Sequence, residues 1–160
     1  MEVRTAYETE LDALARLWHE GWVDSHAPIL PPALAKYRTL ESFRSRLQSL
    51  MPQVRVIGEP GQPLGLCITR GDELYQLFVS AAARGTGVAV ALLADGEARL
   101  RDRGVHATWL TCAIGNHRAA RFYEKNGWVL AGNMIDELPT PDGAFPLEVW
   151  RFEKTLSQSA

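Results

Sequence analysis

Residues 73–103 set three things in direct succession: a β-rich run (ELYQLFV), a link ending in Arg84-Gly85-Thr86-Gly87, and a long stretch with helical spacing of apolar residues. In that stretch Ala89, Leu92, Leu93, Gly96 and Leu100 recur at the intervals that give one buried helix face, and Gly104 supplies the stop. A strand that feeds a helix through a glycine turn implies a helix packed on a sheet, so the chain belongs among mixed α/β folds. The glycines also let backbone N–H groups turn toward one point, beside the unpaired donors and positive dipole end of a helix start, and Arg84 adds a full charge. That arrangement suits a diphosphate; a plain strand-to-helix turn explains the spacing equally well.

The rest of the chain extends this pattern. After a short opening strand, Thr9 is predicted to cap a helix carrying Leu11, Leu14, Trp18 and Trp22 on one face, with Asp12 completing a variant capping box. HAPILPP forbids helix by proline, so residues 23–38 read as a long link before a second helix resumes at Thr39, with Leu40, Phe43, Leu47 and Leu50 facing inward and Pro52 ending it. VRVI, LGLCIT and ELYQLFV, parted by EPGQP and RGD, read as an antiparallel meander. Beyond the long helix come a strand around TWLTC, a helix from His117 to Asn126 closed by Gly127, a strand around WVLAG, a PTPDG turn and a final strand LEVWRFEK. The fold class is mixed α/β (α+β), with much antiparallel pairing.

Size and charge narrow the function. The chain has 160 residues and a formal charge of −2, which suits one domain, expected over residues 1–156 with a tail at 157–160. Such a balance gives no basic field for phosphate backbones or anionic lipid, so neither nucleic acid nor a membrane surface is an expected partner. The longest apolar run, Val88 to Ala94, falls well short of the roughly 20 residues that span a bilayer. The amino terminus mixes acids into its first turns with no basic n-region before an apolar h-region, so no secretory signal is read. Cys67 and Cys112 have no CxxC spacing and read as reduced, buried residues of a cytoplasmic protein. His19, His26, His106 and His117 have no metal-ligand spacing with them, so no metal is expected.

Competing motifs fail on inspection. The dinucleotide fingerprint GxGxxG would need glycine where Val90 stands, and neither a nucleotide P-loop, a GxSxG elbow nor HExxH occurs. A second informative segment is TCAIGNHRAARFYEKNGWVLAG, where Asn116 is a good helix cap, Ala119, Phe122 and Tyr123 share a stripe, and Asn126-Gly127 can close the helix. Capping and packing explain most of it. They leave unexplained a polar Asn and a Tyr phenol flanking two small alanines, which leaves room for a ligand to pass.

Together the two segments resemble the Gcn5-related N-acetyltransferase (GNAT) family. Its Gln/Arg-x-x-Gly-x-Gly/Ala signature is met by Arg84, Gly87 and Ala89 between strand and helix; its second signature is met at Asn116, Ala119, Phe122, Tyr123 and Gly127, with Trp128 in place of the usual Phe. The resemblance covers residues 73–131 and implies a single-domain GNAT-like fold, with a largely antiparallel sheet flanked by about four helices and an acyl-CoA cleft between splayed fourth and fifth strands. It implies that Phe78 and Val79 pair with a pantetheine arm, that the amides of Arg84, Gly85, Thr86, Gly87, Val88 and Ala89 hold a pyrophosphate, and that Asn116 and Ala119 line the arm. Tyr123 would reach the sulfur.

The implied reaction is attack of a primary amine on the acetyl-CoA thioester, with acetyl-CoA as co-substrate. An alkyl ammonium of pKa near 10.4 is neutral in only about one part in 2,500 at pH 7, so a base is needed. Glu73 is the first candidate, eleven positions before Arg84, where some family members carry a catalytic glutamate; His26, His117 and Gln76 are alternatives, and an exposed turn acid explains Glu73 equally well. The Tyr123 phenol can return a proton to the leaving thiolate, and the Val79 N–H can meet the oxyanion. For the acceptor, a small-molecule amine or a peptide or protein amino group, the candidate contacts are Trp22, Asp24 and His26, with Trp18, Glu20, Tyr37 and the loop ELPTPDGAFP nearby in the same reading. A non-catalytic acyl-CoA-binding module is the competing function. Monomer and homodimer are both compatible with the sequence.

Overall fold

The computed structural model describes residues 1–156; the expected tail at 157–160 lies outside the described residues. One seven-stranded sheet runs β1 (Val3–Thr5), β2 (Val54–Ile57), β3 (Gly65–Arg70), β4 (Glu73–Val79), β5 (Ala107–Ala113), β7 (Gly143–Thr155) and β6 (Val129–Thr140) in spatial order. Every neighbouring pair is antiparallel except β4 and β5. Helix α1 (Leu11–Ser25), the single turn α2 (Pro32–Ala35) and α3 (Leu40–Leu50) belong to one apolar cluster, built on Leu14, Trp18, Phe43 and Leu47. Helices α4 (Val88–Asp102) and α5 (His117–Lys125) serve a second cluster, where Leu92, Leu93 and Leu100 meet Cys67, Leu74 and Leu110. The expected mixed, mostly antiparallel sheet with about four substantial helices is what forms.

Several local expectations hold for the expected reason. Thr39 caps α3 by accepting from the Ser42 N–H at 3.1 Å, and Gly104 and Gly127, at φ +85° and +89°, follow the ends of α4 and α5. Gly21, inside α1, is required by packing: a Cβ there would sit 2.5 Å from Phe78 Cδ1, so only glycine lets α1 lie this close to β4.

Three expectations are corrected. Thr9 does not cap α1; a 3₁₀ turn over Glu8–Glu10 leads into it, and Glu10 reaches back to accept the Tyr7 N–H at 2.9 Å. The link 23–38 is partly helical, because α1 continues to Ser25 and α2 starts on Pro32, where proline costs no hydrogen bond. The closing hairpin is far longer than WVLAG and LEVWRFEK suggest: β6 and β7 pair from Val129–Glu153 to Thr140–Gly143, so most of ELPTPDGAFP is strand. Prolines 139 and 146 are tolerated because β6 is an edge strand and β7 pairs with β5 only from Val149 onward.

Candidate active site

The cleft originates in how β4 meets β5. These strands are parallel and paired at a single position, Glu73 with Trp109, after which they part. A bulge on the other side of β4 starts the divergence: Ile68 faces Gln76 and Thr69 faces Leu74, leaving Tyr75 as the extra residue, which bends and twists the strand. Between the parted strands opens a cleft of about 430 Å³. Its walls include Tyr75–Val79, Leu110–Ala113, His26, the Arg84–Gly87 turn and the inner face of α5.

At one end the turn presents its backbone. Gly85 and Gly87 have φ of +76° and +89°, and a Cβ built on Gly85 would meet nothing within 4 Å, so the turn faces open space. Gly87 caps α4 with no side-chain bond. The N–H groups of Arg84 and Thr86 donate to Ala81 O and Ala83 O, both at 3.3 Å. Those of Gly85, Gly87, Val88 and Ala89 have no acceptor among the described residues. Of the six expected amides, four are therefore free to bind an anion. The Thr86 hydroxyl also returns to Ala83 O, so this residue braces the turn, and the buried Val88 side chain anchors it in the core.

At the other end lies Tyr123, 9% exposed and ringed by Phe122, Trp128 and Phe152. Burial pushes its phenol above the ordinary value, so it is held protonated. No hydrogen-bond partner for the hydroxyl lies among the described residues, although the ring lines the cleft. Asn116 uses Oδ1 to cap α5 through the Ala119 N–H at 3.2 Å, which leaves its Nδ2 donors for the cleft. Ala119, small and half-buried, keeps the passage open. Ser80 N–H donates to Leu64 O at 2.8 Å, so the alternation along β4 turns the Val79 N–H away from β3, toward the parted side. Phe78 adds its ring against His26.

The remaining candidates separate. His26 lines the cleft, and burial holds its imidazole down at about 4, so it is neutral at pH 7. Its Nδ1 meets Ser25 Oγ at 2.7 Å, and that hydroxyl donates to Gly21 O at 2.6 Å. Trp22 does not line the cleft; it is a core residue stacked behind His26 at 6.0 Å. Asp24 is tied to Arg84 instead of facing an open acceptor space. His117 packs on Trp150, in a separate groove between α5 and the β6–β7 sheet. Glu73 is 5% exposed at the closed end of the fork, held by Arg70 at 3.1 Å and outside the cleft wall. Burial raises its carboxyl, with Arg70 pulling in the opposite direction.

Sequence reasoning passed over Tyr75, which lines the cleft, and the charged residues behind it, Arg38, Arg46 and Asp136. Among the described residues no group of three or more His, Cys, Asp or Glu side chains gathers in a metal-binding cluster, and no helix is long and apolar enough to cross a membrane.

Comparison with known proteins gives three findings. A family model described as the acetyltransferase (GNAT) family matches residues 11–128. An uncharacterised N-acetyltransferase of Mycobacterium tuberculosis is 38% identical over 69 residues, and this match spans 41% of the chain and 44% of that protein's length. In fold, a GCN5-related N-acetyltransferase from Rhodopseudomonas palustris superposes with a TM-score of 0.76 at 17% identity, covering 97% of this chain and 95% of that one. The PaiA N-acetyltransferase of Thermoplasma acidophilum, solved in complex with coenzyme A, gives 0.68 at 18% identity, covering 96% and 98%.

Proposed function

Because the chain belongs to the acetyltransferase (GNAT) family, we propose that it transfers an acetyl group from acetyl-CoA to a primary amine by direct attack on the thioester, the amine belonging to a small molecule in preference to a peptide or protein. The observation that carries this reading is the continuity of the cleft, which runs from four unpaired backbone N–H groups to a buried, protonated phenol. The site fits acetyl-CoA at both ends. Free amides and Arg84 suit a diphosphate, and the unpaired inner edge of β4 suits the amide groups of a pantetheine arm. PaiA, of the same fold, binds coenzyme A in its solved complex.

Acetyl-CoA supplies the activated acyl group; the chain's residues orient it and move protons. Gly85, Gly87, Val88 and Ala89 hold the diphosphate, and Asn116 Nδ2 and the Phe78–Val79 backbone align the arm. The Val79 N–H stabilises the charge that develops on the carbonyl oxygen. Glu73, through a water in the fork, accepts the first proton of the attacking ammonium; Tyr123 gives its proton to the departing sulfur and is restored by the second proton, which leaves the nitrogen as the amide forms. The phenol's raised pKa keeps the donor loaded at every physiological pH.

The test is a thermal melt with and without millimolar coenzyme A, followed by a screen of amines for acetyl-CoA-dependent thiol release. A positive shift with turnover of an amine is expected. No shift from folded protein removes the reading, and a shift without turnover of any amine reduces it to acyl-CoA binding.

A further inference from the structure

The alternation along β6 turns Gly132, Met134, Asp136, Leu138 and Thr140 inward, and Leu138 packs with Phe145 and Leu147 of β7 against the α1–α3 cluster. Asp136 is thus a carboxylate between Met134 and Leu138 on the inward face. Opposite it are two guanidinium groups, from Arg38 after α2 and Arg46 in the middle of α3. Arg38 is 5% exposed and, among the described residues, its side chain makes one hydrogen bond, to Pro139 O at 3.4 Å. Arg46 lies over the rings of Trp18 and Phe43, 4.4 and 5.5 Å from their centroids, and donates to the Tyr75 hydroxyl at 2.8 Å. Neither has a carboxylate at ion-pair distance among the described residues, Asp136 included. A third arginine, Arg70, stacks 3.7 Å over the ring of Tyr75, but its charge is spent on Glu73.

Burying a guanidinium without a counter-ion is costly, and placing a second beside it adds repulsion. Burial and the Arg46 charge together hold Arg38 down at about 10. The Arg46 stacking and its bond to Tyr75 offset part of that cost, and Asp136 attracts the two charges only from beyond ion-pair distance, so an incoming anion would satisfy what these contacts leave. Position says which anion. Tyr75, the bulged residue of β4, links the pair to the cleft, while Pro139 holds Arg38 beneath the β6–β7 hairpin. Tyr37 braces the tip of the hairpin through Asp142 at 2.6 Å. The pair therefore lies directly behind Tyr75, a residue of the cleft wall.

We infer that Arg38 and Arg46 form a carboxylate-binding subsite for the acceptor, so that the amine acetylated by this protein belongs to an amino-acid-like molecule whose carboxylate docks on the two guanidiniums while its amino group faces Glu73. The inference rests on the acetyl-transfer reading above. Asp136 on one side and two arginines with no ion-pair partner among the described residues on the other complement a zwitterion. A simple alkylamine would leave the arginines unpaired, and a long polyamine would meet them as like charges.

The test compares free amino acids with their carboxamides as acceptors for acetyl-CoA, with phosphoethanolamine as a third arm, using thiol release for kcat/KM and thermal shifts of the coenzyme A complex for binding. Acids are expected to exceed amides by about 10- to 100-fold, the worth of a charge-assisted pair. In Arg46→Gln and Arg38→Met that ratio should collapse toward one, and Arg38→Lys should recover part of it. A fold defect would lower acid and amide together and leave the ratio standing, so a ratio that survives both variants overturns the subsite. So does equal use of acids and amides, and so does a preference for phosphoethanolamine, which would assign the pair to phosphate. If coenzyme A binds while no acid is acetylated or shifts the melt, the subsite is wrong and the acetyl-CoA reading stands. If coenzyme A itself does not bind, both fall.

Discussion

Asp24, in the last turn of α1, holds the Arg84 guanidinium at the head of the glycine turn, so one ion pair ties the two lips of the cleft together. Arg118 in α5 approaches the same carboxylate oxygen at 3.9 Å. Both partners of the main pair are substantially exposed, and pairs of that kind contribute little to folding. The consequence is for ligand affinity, because the residue best placed to meet a diphosphate is already engaged by an acid.

Asp24→Ala therefore releases Arg84 and is expected to tighten coenzyme A binding by about 3- to 10-fold at low ionic strength, with the gain shrinking as salt screens it. Arg84→Ala should weaken binding by a similar factor. Titration calorimetry at two salt concentrations checks both; weaker binding in Asp24→Ala would mean that the pair positions Arg84 instead of competing for it.

The segments legible in the sequence were those whose chemistry is local. Arg84–Gly87 and Asn116–Gly127 each fit inside one turn and one helix, where spacing alone sets which atoms converge. The Arg38–Arg46–Asp136 cluster was not legible, because it depends on the register of a hairpin whose second half carries weak β signals: Asp136, Glu137 and Pro139 argue against a strand, and pairing with β7 overrides them. The parting of β4 from β5 was expected only through family resemblance. Its visible physical cause, the bulge at Tyr75, has no mark in ELYQLFV. Glu10, which nothing in the sequence separates from the neighbouring acids, is 1% exposed. It accepts from the two terminal guanidinium nitrogens of Arg4, from Tyr7 N–H and from Gly61 N–H, and the last partner lies in a turn 51 residues away.

That network makes Glu10 a stability determinant. Chiefly through the Arg4 hydrogen bonds, its carboxyl falls from 4.5 to about 2 in the folded protein. A depressed folded-state value means that the stabilisation is fully present above the unfolded value and is lost as pH falls toward the folded one. Glu10→Gln should cost about 3 kcal/mol at neutral pH and about half that at pH 3. Urea unfolding of both proteins at the two pH values checks this; a cost independent of pH would assign the effect to shape.

Tyr123→Phe removes only a hydroxyl that has no hydrogen-bond partner among the described residues, so folding and coenzyme A affinity should change little. Turnover should fall by about 10² to 10⁴-fold, because proton donation matters in the transition state more than in binding. Single-turnover rates isolate the chemical step. Equal rates would show that water or another group protonates the sulfur.

Glu73 makes the most demanding prediction, since it stands at the closed end of the fork and must act through water. If it is the base, Glu73→Gln keeps shape and burial while removing the acceptor, and kcat/KM should fall by about 10²-fold at pH 7. The loss should shrink as rising pH frees the amine without help. Arg70 supplies an independent handle: it holds the Glu73 carboxyl down against the upward push of burial. Arg70→Ala should therefore raise that pKa and move the acidic limb of the wild-type profile to higher pH, while Glu73→Gln abolishes the limb. A merely structural Glu73 would lower activity evenly across the profile. Parallel curves in both variants would transfer the role to His26, which is neutral at pH 7 and already lines the cleft.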